Sequence, residues 1–326
     1  MNAPKLHHYV PQFYLKRFVA DKGRFYVWDK TNDRIFATQP KAIAAETDFY
    51  WLHEFERQDH DPLTMEKQFA DLEGQVSLIT AQWLAWIYQA SPRTKISIPK
   101  ENREIIARYI ALQFLRTADT KDILCSLHEL DHPNEALTTE KRTELHAMLL
   151  WDLNKLGTIE RHIKDAIWIF GRNESNTPFW TSDNPVAFKT ANNRMWLKAG
   201  FISRGTYVVF PLSPTVVMYC HERDYWKKMT NWDCIVSPVD FTDEMVQHEN
   251  AGQVFMATRF IISSTNDFRF GREFLPSIGT DQYASDEWDA GLPDPRFLLG
   301  KKRGRGSTTM KNAKSTMKKG VPKDGK

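Results

Sequence analysis

An α+β fold follows from three features of the sequence. Helical periodicities come first and β-type runs later, so helices and strands segregate along the 326-residue chain instead of alternating. About residues 61 to 165, apolar side chains recur at spacings of three and four, as on amphipathic helices. About residues 166 to 285, short β-branched and aromatic runs are punctuated by Gly, Asn, Ser and Pro, as in antiparallel strands. The expected architecture is an N-terminal motif with a β-hairpin, a central helical bundle and a C-terminal mixed antiparallel sheet. Residues 1 to 298 are expected to form a single large domain and 299 to 326 a disordered basic tail.

The elements follow in order. Pro11 suits the first position of a helix, with Val10 as its cap, and Pro11, Tyr14, Leu15 and Phe18 then form one apolar stripe. Arg24–Lys30 and Arg34–Thr38 alternate around a polar turn and predict a hairpin. Residues 41 to 52 predict a short Ala-rich helix running into Phe49-Tyr50-Trp51. Asp61-Pro62 starts a long helix, whose stripe is Met65, Phe69, Leu72, Val76, Ile79, Trp83 and Trp86. A second helix runs from near Pro99 to about Thr117, apolar on nearly every side after Ile105. A third helical region covers about 138 to 164. Strands are expected near 166–170, 179–181, 195–198, 206–210 and 215–219, then a helix over 243–257 leading into Phe260–Ser263.

Composition narrows the class. The hydrophobic fraction of 41% with 11 Trp and 20 Phe calls for a folded core. No run approaches a membrane span. The start of the chain is polar and lacks the apolar region of a signal peptide, and Cys125, Cys220 and Cys234 form neither a zinc pattern nor a disulfide framework. A reduced cytoplasm is the expected compartment. The ten Lys and Arg of residues 300–326 against Asp324 give that tail +9, which leaves −6 for the rest of a chain whose net charge is +3. A nucleic-acid-binding body would be basic; the tail supplies at most a salt-sensitive, sequence-independent attraction.

Two stretches carry candidate chemistry. His7 and His8 precede a helix N-terminus, whose positive potential favours neutral imidazole, a base or a metal ligand. The same free amides suit a phosphate, with Lys16 or Arg17 nearby. In the second stretch, Ser182-Asp183-Asn184 follow a strand and precede Pro185. An Asx turn accounts for them structurally, and a carboxylate projecting into a cleft would bind a divalent metal or act as base. Between these lie Tyr109, Gln113 and Arg116, on one stripe of an otherwise apolar helix. A guanidinium there needs a carboxylate or phosphate. His128-Glu129-Leu130-Asp131-His132 matches a zinc-protease pattern, but Pro133 disfavours helix at the second histidine, so coincidence is expected. His248-Glu249-Asn250 reads as a solvated helix face. Phosphate-loop, dinucleotide, nucleophile-elbow and kinase motifs are missing.

The run His7–Phe18 resembles the N-terminal signature of a bacterial family known as domain of unknown function 4238. So do Ala111-Leu112-Gln113 with Arg116-Thr117, Thr181–Val186 and Phe210-Pro211-Leu212-Ser213-Pro214. The resemblance spans most of residues 5 to 270. It implies no reaction, because the family has no settled activity, but it ranks these residues above the rest.

The resulting expectation is a metal-dependent phosphodiester hydrolase. His7 or His8 would be base or ligand, Asp183 the metal ligand and Arg116 the phosphate holder. Gln113, Tyr109, Ser182, Asn184, Lys16 and Arg17 would complete the binding surface, with a nucleotide or nucleic acid as partner. The alternatives are a non-catalytic nucleotide- or anion-binding protein using the same pocket, and a purely architectural role for both motifs.

Overall fold

Residues 6–191, 196–197 and 204–278 are described by a computed structural model. The chain opens with a strand, β1 (Leu6–His8), and a one-turn helix, α1 (Gln12–Leu15), continued by a 3-10 turn over Lys16–Phe18. Pro11 is extended at ψ 140° and is itself the cap, so the helix begins one residue later than expected. Its stripe is as expected: Tyr14, Leu15 and Phe18 are all buried.

The hairpin β2 (Phe25–Asp29) and β3 (Arg34–Thr38) turns on Asp29, whose carboxylate accepts the amides of Thr31 and Asn32 at 3.2 Å each. The Ala-rich segment is not a helix. It holds β4 (Ala45–Thr47), which pairs antiparallel with β1 and sets His7 opposite Glu46. Ala44, at φ +52°, turns its carbonyl to accept the Tyr9 and Val10 amides at 3.0 and 3.4 Å. Long-range pairing overrides the helix propensity of alanine here.

Six helices follow: α2 (His53–Arg57), α3 (Thr64–Gln89), α4 (Lys100–Leu115), α5 (Ala118–Asp131), α6 (Thr139–Leu150) and α7 (Leu153–Asp165). Every side chain of α4 from Ile106 to Leu115 except Arg108 is buried, and α3, α5, α6 and α7 all pack on it. α4 is therefore the central helix. The region expected as one helix over 138–164 is two, because the Asp152 carboxylate caps α7 by accepting the Asn154 and Lys155 amides at 3.1 Å each. α5 ends at Asp131, so His132 falls outside the helix, and its ring stacks on His128 at 4.3 Å. The zinc-protease geometry is not formed.

The later half supplies β5 (Ile167–Arg172), β6 (Thr181–Ser182), β7 (Ala187–Lys189), β8 (Trp196–Leu197), β9 (Tyr207–Ser213), β10 (Val216–His221), β11 (Ile235–Val236), α8 (Asp243–Met256), β12 (Phe260–Ser263) and α9 (Arg269–Phe274). One sheet runs β11-β5-β10-β9-β7-β8, antiparallel except for β11 beside β5. The other runs β3-β2-β12-β6, so the N-terminal hairpin is completed by strands from the C-terminal half. With helices grouped apart from two largely antiparallel sheets, the fold class is α+β.

On α8 the expected solvated run is exposed only at His248: partly buried Glu249 pairs with fully buried Lys189 at 2.8 Å, and the buried Asn250 side chain bonds the Trp180 amide and the Pro178 carbonyl. Among the described residues no helix is long and apolar enough to cross a membrane. The basic stretch 299–326, the limit at 285, and the ends of the strand expected over 195–198 lie outside the described residues.

Candidate functional site

The N-terminal segment lies across α3 and α4 and reaches the sheets. Tyr14 is the link. Its hydroxyl donates to the Pro211 carbonyl at 2.8 Å and lies 2.8 Å from the Thr181 hydroxyl. The first sequence motif therefore docks directly on the second.

Beneath this segment runs a polar seam. α3 contributes Glu66, Glu73 and Thr80, at intervals of seven and so on one face. α4 contributes Tyr109, Gln113 and Arg116, all buried. Arg116 is its best-satisfied member: it donates to Glu73 at 2.7 Å, to the His8 carbonyl at 2.7 Å and to the Tyr50 hydroxyl at 3.4 Å. Its guanidinium also lies 4.5 Å from the Phe69 ring centre. The Tyr50 hydroxyl returns a bond to the Arg116 carbonyl at 2.8 Å. Arg116 is thus a clasp that fixes β1 to the helices, and Glu73 supplies the carboxylate that a buried guanidinium requires.

His7 serves the same clasp. It is fully buried, its Nδ1 accepts the Tyr50 amide at 2.9 Å, and the two rings lie parallel. His8 is half-buried, and its Nε2 is out of water with no hydrogen-bond partner. Burial lowers the His8 pKa and Arg116 adds to that, while the Lys41 and Pro40 carbonyls and Glu73 oppose it. The ring is therefore held towards its neutral form.

Further along, Gln113 donates to the Tyr9 carbonyl at 3.0 Å, while its own oxygen has no partner. The Tyr109 hydroxyl, on a residue 2% exposed, also has none. Phe13 covers Tyr109, with ring centres 5.8 Å apart, and the Arg17 guanidinium stands 5.4 Å from the Phe13 ring centre. Arg17 donates to the Thr80 hydroxyl. It makes no ion pair with any carboxylate among the described residues, although burial lowers its pKa. Lys16 is exposed beside it. At the other end, one oxygen of Glu66 is buried without a partner, and burial pushes its carboxyl up to about 7 despite nearby Arg116.

Asp183 is held by backbone amides. One oxygen accepts the Thr258 amide at 2.9 Å, and the other accepts Arg259 and Phe260 at 2.7 and 2.9 Å. Burial raises its pKa against the pull of those three amides. The Ser182 hydroxyl donates to Gln253 at 2.9 Å and accepts the Asn184 amide. The Asn184 side chain donates to Asp119 at 3.3 Å, and its oxygen has no partner. The structure brings together His8, Arg116, Tyr109, Gln113 and Arg17, with His7 behind Tyr50. Ser182 and Asp183 instead lock β6 to α8 and to the start of β12, and Asn184 ties the same motif to Asp119 of α5. Among the described residues no group of three His, Cys, Asp or Glu side chains could hold a metal ion.

Glu66 and Glu73 were not singled out by the sequence, though a signal existed. Positions 66, 69, 73, 76, 80, 83 and 87 alternate by three and four, so two carboxylates and a threonine fall on the stripe that faces the core.

The chain matches the family described as "Protein of unknown function (DUF4238)" over residues 6–267, and it belongs to that family. Comparison with curated proteins and with solved structures found no match.

Proposed function

We propose that this protein binds a phosphate-bearing ligand of the nucleotide class at the outer end of the polar seam, with Arg17 as the anion contact. One observation carries the proposal: Arg17 is a half-buried guanidinium with no carboxylate ion pair among the described residues, near a buried Tyr109 hydroxyl that has no hydrogen-bond partner among them. Placing a guanidinium out of water is costly without a charged partner. In the seam, Arg116 and Glu73 neutralise each other, and a Glu66 carboxyl titrating near 7 is partly neutral. Arg17 leaves the seam with positive charge. A phosphate accepts bidentate donation from guanidinium, and the Phe13 ring beside it offers an apolar face. Calorimetric titration with adenosine monophosphate and with inorganic phosphate tests this. Binding is expected, and Arg17→Met should weaken it by about thirtyfold, the worth of a charge-assisted pair near 2 kcal/mol. Equal binding by Arg17→Met would refute it.

A second reading, hydrolysis of a phosphodiester, is favoured by Glu66. A carboxyl near 7, with one buried oxygen unpartnered and a guanidinium acting on it, is suited to general acid–base work at neutral pH. Neutral His8 would be the other proton carrier. Under this reading, Glu66→Gln abolishes turnover of a dinucleotide and leaves nucleotide binding intact. Retained turnover would remove it. A divalent metal at Asp183 would compete with three amide bonds, so metal dependence is to be sought by adding magnesium or manganese to the same assay.

A further inference from the structure

α3, α4 and α7 enclose an open groove of about 780 Å³, separated from the seam by Phe69. Its apolar lining includes Leu72 of α3, Ile105 and Leu112 of α4, and Leu156 of α7. Trp151 and Leu153 line it too and are 36% and 78% exposed. Its charged lining is acidic: Arg108 is bonded to Glu160 at 3.2 Å and Glu104 pairs with Lys164 at 3.9 Å, while Asp71 and Glu101 make no ion pair among the described residues.

We propose that this groove is the docking site for a cationic amphipathic helix of a partner protein. Four observations converge on that occupant. The lining residues of α4 run from Glu101 to Leu112, about 16 Å at the helical rise, or three turns. α3 and α7 both pack on α4 and flank the groove along it, and an apolar groove of this form takes the apolar face of a helix. The carboxylates then select the flanking charge, since a cationic helix gains from them and an acidic one is repelled. Finally, Gly157 sits inside α7, where glycine is disfavoured. It lines the groove, and no heavy atom lies within 4 Å of where its Cβ would stand. Its missing side chain keeps the wall open.

The test uses the full chain and a synthetic helix of about four turns built from Leu and Lys, with a Leu/Glu helix as control. Binding is followed by tryptophan fluorescence and by calorimetry. The Leu/Lys helix should bind and weaken steeply with salt, while the Leu/Glu helix should not bind. Gly157→Trp, which fills the groove, should weaken the Leu/Lys helix at least tenfold. The pair Asp71→Lys and Glu101→Lys, at exposed positions, should do the same if the tryptophan variant does not fold. Equal affinity for both helices, or unchanged affinity in either variant, would overturn the proposal. So would sedimentation showing a dimer that Gly157→Trp dissociates, which would assign the groove to a second copy of the chain. None of these outcomes depends on phosphate binding at Arg17.

Discussion

Replacing Arg116 with methionine should unclasp the N-terminal segment. The side chain is 3% exposed and makes three bonds, to Glu73, the His8 carbonyl and the Tyr50 hydroxyl. Methionine restores most of the packing on Phe69 but leaves Glu73 and the His8 carbonyl without their donor. Removing one partner of a buried pair costs about 3–5 kcal/mol. Glu73 is 21% exposed, so water reclaims part of that loss and the expected cost is about 3 kcal/mol. For a domain of this size that corresponds to a fall of about 6 °C in Tm. Urea unfolding followed by tryptophan fluorescence measures the free energy, and a double-mutant cycle with Glu73→Gln isolates the pair. A coupling of about 1–2 kcal/mol is expected. A loss below about 1 kcal/mol, or simple additivity, would refute the clasp.

Three further outcomes follow from the same contacts. Tyr14→Phe removes a fully buried hydroxyl that serves both Thr181 and Pro211, and should cost about 2 kcal/mol in urea unfolding; no change would mean the two motifs are not bonded through it. Burial holds His146 at about 3 and His221 at about 4, both below the unfolded value near 6.5. The unfolded chain therefore takes up protons first, so stability is lost as pH falls below about 6.5, by up to about 1.4 kcal/mol per pH unit for each histidine. His221→Phe should remove up to about 1.4 kcal/mol per pH unit of that dependence relative to wild type, and an identical pH dependence of Tm in the two proteins between pH 7 and pH 5 would contradict it. Glu66 has the opposite sign. Its carboxyl, near 7 in the fold, lies above its unfolded value, so its contribution is present below about pH 4.5 and is lost as pH rises through about 7. Glu66→Gln should stabilise the protein by about 1–2 kcal/mol at pH 8, after allowance for screening, and by little at pH 5; an equal effect at both would count against it.

The long elements were legible in the sequence because their signals are local. The stripe of α3, the apolar density of α4 and the buried face of Tyr14, Leu15 and Phe18 are all readable from periodicity. What was not legible depends on partners far along the chain. β4 follows an alanine-rich stretch and becomes a strand because β1 is there to pair with it. Glu249 and Asn250 look like surface residues until Lys189 and the Trp180 amide meet them. The candidate site was half visible. Arg116, Gln113 and Tyr109 announced themselves as polar interruptions of a buried helix, but the carboxylate for Arg116 lay 43 residues earlier. Asp183 shows the converse: a residue type suited to catalysis, in a specific motif, spends both oxygens on three backbone amides.

The claim on which the functional account rests is that Arg17, not Arg116, is the cation available to a ligand. Guanidinium Nε–H resonances of the two arginines, followed during titration with adenosine monophosphate, test it directly. The account predicts a saturable shift at Arg17 and an unmoved Arg116, whose donors are held by Glu73, His8 and Tyr50. A shift at Arg116, or none at Arg17, would contradict it.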